Sequence, residues 1–70
     1  LMYNIGDLVI VNDDCAVSSY RGKLAIVIKN LGKDPMDLTG GCYFKLQFAN
    51  GRHEILTASE MTALSKAERK

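Results

Sequence analysis

Apolar residues fall along this chain in short runs separated by polar, glycine-containing stretches, a spacing that predicts strands rather than helices. "LVIV" at 8–11 follows the turn signal Gly6-Asp7 and is rich in β-branched residues, which favour a pleated strand. "KLAIVIKN" at 23–30 is a second strand, and "CYFKLQFANGRHEILT" at 42–57 holds two more that flank Asn50-Gly51. That pair readily adopts the positive φ angles of a type I′ turn, so the segment predicts a hairpin. "DDCAVSSYRG" reads as a connection with Val17 and Tyr20 folded back onto the core. "LGKDPMDLTGG" reads as an irregular exposed loop, because Gly32, Pro35, Gly40 and Gly41 break regular structure. In "TASEMTAL", Thr57 or Ser59 is a candidate N-cap, but a long helix does not fit; a single 3₁₀ turn and a short closing strand are expected.

Alternation along each strand assigns the faces. Phe44, Leu46 and Phe48 share one face and Lys45 and Gln47 the other, the pattern of a strand buried on one side. The second strand departs from this pattern, since Leu24 to Ile28 are apolar without a break. With Val9, Val11, Ala25 and Val27 pointing inward, Leu8, Ile10, Ile26 and Ile28 point outward and form one external patch if the first two strands are neighbours. Two readings of the patch stand side by side. Either the loop carrying Leu31, Met36 and Leu38, or the chain ends, fold over it, or it is a surface for a protein partner or for self-association. A slip of one residue in register would invert these assignments.

Strands this closely spaced leave no room for crossover helices and must pair antiparallel, and so few of them bury a core by curling. The expected fold is all-β, a five-stranded antiparallel barrel with a short 3₁₀ turn before the last strand. With 70 residues and 47% apolar content, one small domain is the ceiling, here 1–64, followed by a charged, flexible tail at 65–70. No apolar run approaches the roughly 18 residues that cross a membrane, and no leader pattern is evident, so a cytoplasmic setting is expected.

The net charge of +1 divides unevenly: "SKAERK" at the end carries +2 and the remainder −1. A nucleic-acid module draws its affinity largely from phosphate neutralisation and usually has a basic body, which this chain lacks. The nucleic-acid alternative would place Arg21, Lys23, Lys29, Lys45 and Arg52 on phosphates of RNA or DNA, with Tyr20 and Tyr43 stacking on unpaired bases. Ordinary surface solvation explains the same cations.

Catalytic chemistry is thinly represented. His53, the sole histidine, follows the Asn50-Gly51 turn and reads as solvated rather than as a general base. The pairs Asp13-Asp14 and Asp34/Asp37 do not match the ligand spacing of a calcium loop, and Gly40-Gly41 lacks the Lys and Ser or Thr of a phosphate loop. Cys15 and Cys42 supply neither a structural zinc set nor a Cys-x-x-Cys pair and read as reduced thiols. No enzyme activity, cofactor, metal or small-molecule substrate is expected.

In order and character, "IGDLVIV" (5–11), "YRGKLAIV" (20–27), "FKLQFANG" (44–51) and "ASEMTAL" (58–64) resemble SH3-like small β-barrels of the KOW and Tudor type, including many short proteins of bacteriophages and bacteria. Ala25 stands where such families often carry a second glycine. The resemblance covers nearly the whole barrel and implies a non-enzymatic binding module, in a fold class that serves protein, RNA and DNA partners. The function expected is protein binding, in the manner of a phage-type modulator of a host protein. Leu8, Ile10, Ile26 and Ile28 would make the contact, with Tyr20, Tyr43 and Met36 at its rim.

Overall fold

The computed structural model describes residues 3–33 and 41–65. Five strands, β1 (Leu8–Val11), β2 (Leu24–Lys33), β3 (Cys42–Phe48), β4 (His53–Thr57) and β5 (Met61–Ser65), form one sheet in the order β4-β3-β2-β1-β5. All four ladders are antiparallel, and no α-helix occurs among the described residues. The expected all-β architecture and the 3₁₀ turn before the last strand, Ala58–Glu60, are both present. Among the described residues the sheet has two edges, β4 and β5, with no ladder between them, so closure into the expected barrel is not seen there.

The predicted alternation holds through β1, the start of β2, and β3. Val9 lies opposite Ala25, Ala25 opposite Phe48, and Val27 opposite Leu46, and all five are buried. Their neighbours Leu8, Ile10, Ile26 and Gln47 face the other side. Leu56 and Met61 complete the buried face from β4 and β5. Burying a Val, Leu or Phe side chain contributes about 1.5–3 kcal/mol, so this face carries most of the stability. Tyr3 reaches across it, meeting the edge of Phe44 in β3 at 5.4 Å between ring centroids. Its hydroxyl donates to the Met61 carbonyl at 3.1 Å. One side chain therefore joins β3 to the start of β5, and the sheet coils over its own apolar face.

Several segments depart from the sequence expectation. β2 runs on through Leu31, Gly32 and Lys33, where an irregular loop was expected, because register shifts between Val27 and Lys29 and between Asn30 and Gly32 absorb two extra residues. The Asn30 side chain accepts the Gly32 N–H at 2.8 Å and stabilises the second irregularity. Val17 does not fold back onto the core; it is 45% exposed, at the start of an unforeseen 3₁₀ turn at Ser18–Tyr20. Tyr20 does fold back, stacking on Phe48 at 5.0 Å. The β3–β4 hairpin is formed, but not through a type I′ turn, since no non-glycine residue has positive φ among the described residues. Gly51 N–H donates to the Phe48 carbonyl at 2.9 Å, and Phe48 N–H to the Arg52 carbonyl at 2.9 Å. This is a three-residue connection in which Gly51 alone takes φ +86. The Asn50 side chain accepts the Arg52 N–H at 3.0 Å, which holds Asn50 out of the mirror turn.

The turns at the two ends of β1 are built differently. Asp7 is fully buried; its carboxylate accepts the Asn4 N–H at 2.8 Å and its carbonyl the Val27 N–H at 3.0 Å, docking the entry turn on β2. At the other end, Asn12 N–H donates to the Glu60 carbonyl at 2.8 Å, and the Asn12 amide bridges the Ser59 carbonyl and the Thr62 hydroxyl. The Glu60 carboxylate accepts the Thr57 N–H at 3.0 Å and the Thr57 hydroxyl at 3.1 Å. Burial alone would raise the Glu60 pKa, but these bonds, with others from the Cys15 thiol and the Ala16 N–H, outweigh it and hold the group below its ordinary value. Cys15 is buried, Cys42 is half-buried, and both are free thiols.

Two predictions arise from these turns. Gly51→Ala meets no steric obstacle but is strained at φ +86, and should cost about 1 kcal/mol in urea unfolding. Glu60 has a lowered folded pKa, so its contribution is full above the unfolded value near 4.5 and is lost as pH falls through the folded one. Glu60→Gln should therefore be less stable than wild type at pH 7, with the gap in melting temperature narrowing as pH falls below 4.5. A gap independent of pH would show that the ionised carboxylate is not what ties this turn.

Candidate protein-binding face

The outward face of β1 and β2 brings together most of the residues expected to form a contact. Leu8 lies directly opposite Ile26, and Ile10 directly opposite Leu24. Such pairs on one face of an antiparallel ladder have Cβ atoms about 4.5–5.5 Å apart, close enough for the four aliphatic side chains to form one surface. Leu24 and Ile26 remain 50% and 46% exposed, while Leu8 and Ile10 are half-buried between the neighbouring strands.

Leu24 completes the patch and was overlooked in the expected contact set; its signal was its even parity with Ile26 in the unbroken apolar run. Ile28 belongs to it less firmly. It falls at the irregularity between Val27 and Lys29, is half-buried, and has no partner residue across the ladder to β3. Alternation cannot announce such an interruption, because the irregular residue looks like any other β-branched strand residue.

A shallow groove of about 370 Å³ runs along the patch, between Leu8, Leu24 and Ile26 on one side and Gln47 and Ala49 on the other. A second groove of about 600 Å³ continues from it around Leu24, Phe48 and Ala49 to the end of the sheet, where Tyr20, Lys23 and Arg52 line it. The Tyr20 ring is fixed there by its stack on Phe48 and by a hydrogen bond from its hydroxyl to Glu54. That bond to Glu54, with burial and the negative charge of Glu54 acting in the same sense, raises the Tyr20 pKa and keeps the phenol protonated.

The remaining expected residues are scattered. Tyr43 is half-buried in β3, between Gly32 and Thr57, away from Tyr20 at the far end of the same strand. Arg21 donates through Nε to the Cys15 carbonyl at 2.7 Å, so it closes its own loop. Lys29 and Lys45 lie opposite one another across the β2–β3 ladder, with Lys33 further along the same strand. The five cations of the nucleic-acid alternative thus divide between two ends of the sheet. His53 is exposed at the start of β4, and Asp13 and Asp14 are exposed in a turn. No group of three or more His, Cys, Asp or Glu side chains converges among the described residues. Met36, Leu38, Asp34, Asp37, Gly40 and the tail at 66–70 lie outside the described residues. No described helix is long and apolar enough to cross a membrane. No family model, curated protein or solved structure matches this chain.

Proposed function

We propose that this chain is a non-catalytic protein-binding module that uses the outward aliphatic face of β1 and β2. The observation that carries the proposal is the four-residue patch of Leu8, Ile10, Leu24 and Ile26, paired across one ladder on the side of the sheet away from the core. Contiguous exposed aliphatic surface on a small domain generally marks an interface. A surface of this kind needs no tuned nucleophile or base, and the exposed positions of His53, Asp13 and Asp14 agree with a binding role. The order of strands supports the reading of an SH3-like small barrel: a four-strand meander, a 3₁₀ turn, and a last strand returning beside the first. On this reading Tyr20 flanks the contact, Tyr43 lies outside it, and a protein of the host cell is the partner of a phage-type modulator working in the cytoplasm.

The test is affinity capture from a lysate of the source cell, with nuclease added to one half, using wild type and Ile26→Asp. Ile26 is half exposed, so the aspartate should leave the domain folded, as judged by an unchanged cooperative melt. A protein retained despite nuclease and lost with Ile26→Asp is the expected result. Recovery that vanishes with nuclease and ignores Ile26→Asp would instead assign the function to the cations. Unfolding by Ile26→Asp would place the residue in the core and refute the patch.

A further inference from the structure

The two grooves on this surface differ in chemistry yet share Leu24, Phe48 and Ala49, so they form one trough with an aliphatic end and a cationic end. The aliphatic end is the patch of Leu8, Leu24 and Ile26. At the other end, Lys23 and Arg52 approach the trough from different elements, the connection before β2 and the β3–β4 turn. Both cations are available to a ligand. Lys23 forms no ion pair among the described residues, and Arg52 has one contact with Glu54 at the 4.0 Å limit, its side chain 68% exposed. Glu54, the acidic group beside Arg52, also accepts from the Tyr20 hydroxyl. That bond, with the stack on Phe48, fixes the Tyr20 ring in the wall of the cationic end.

We infer that this trough selects an extended protein segment in which an aliphatic or aromatic side chain lies within a few residues of an Asp or Glu. The apolar side chain fills the Leu8/Leu24/Ile26 end, and the carboxylate meets Lys23 and Arg52. The inference rests on the protein-binding reading and adds the chemistry of the partner. Charge complementarity favours this occupant, because the two cations at one end of the trough call for a carboxylate beside the apolar side chain. A single nucleic-acid strand fits less well, because the Leu8/Leu24/Ile26 end is aliphatic and the trough offers two cations for a backbone charged at every nucleotide.

A random twelve-residue peptide library displayed on phage, selected against the full chain, tests the inference. The best peptide is then synthesised, and its affinity measured by fluorescence anisotropy beside a dT12 oligonucleotide. Enriched peptides should pair Leu, Ile, Met or Phe with Asp or Glu. Affinity should fall about tenfold or more in Lys23→Glu/Arg52→Glu and in Ile26→Asp, and weaken as salt screens the carboxylate. If the double reversal does not fold, Lys23→Gln/Arg52→Gln removes the charges with less repulsion and should weaken binding in the same direction. Peptides without acidic residues, or binding indifferent to the charge changes but lost in Ile26→Asp, would overturn this inference while leaving the protein-binding function standing. Binding indifferent to Ile26→Asp as well would overturn both, as would tighter binding of dT12 than of any peptide.

Discussion

A sheet that no helix among the described residues covers must bury its apolar face against itself, and the core, the turns and the exposed patch all answer to that requirement. Val9, Val27, Phe44 and Leu46 are fully buried on one side of a single sheet. Such burial is attained only if the sheet coils until its two halves approach. Tyr3 holds the approach in place, its ring against β3 and its hydroxyl on the backbone of β5. The turns then follow as devices for aiming strands. Asp7 brings the chain into β1 at the angle that docks on Val27, and the Asn12–Glu60 contacts seat the final 3₁₀ turn beside the far end of β1.

Coiling also explains why one side of β1 and β2 carries aliphatic residues in excess of the core's needs. In a strongly curved sheet the concave face is crowded and admits one set of side chains, here Val9, Ala25 and Val27. The convex face spreads its side chains apart and leaves Leu24 and Ile26 half exposed. The unbroken apolar run of β2 thus serves two surfaces at once, with the odd positions satisfying packing and the even positions left over. Aliphatic side chains at those positions add little to folding, because half their area stays in water.

Much of this architecture is legible in the order of residues. Parity along β1 and β3 assigns every inward residue there, and Asn50-Gly51 locates the hairpin. What escapes the sequence is irregularity. The extension of β2 across Gly32 is hidden because the same residues that break a strand also build bulges within one, and only the partner strand decides between them. The precise hairpin turn depends on whether the Asn50 side chain captures the Arg52 N–H, a choice among closely matched local bonds. The exposure of Val17 reflects the tight 3₁₀ turn that brings Tyr20, three residues on, over Phe48 instead. The candidate surface is legible to the same degree: the patch follows from parity, whereas its junction with Lys23 and Arg52 needs three separated segments to be placed in space.

The pairing of β5 with β1 has a kinetic meaning as well. Val11 meets Met61 and Asn12 bonds to Thr62, a separation of 50 residues in the chain. Ribosomes emit polypeptide at about 5–20 residues per second, so β1 and β2 emerge well before their last neighbour exists. During that interval one side of β1 is an open template of N–H and C=O groups beside the aliphatic side chains of Leu8 and Ile10. The nascent chain is therefore vulnerable to mispairing until residues 61–65 emerge, and their arrival is the event that shields it.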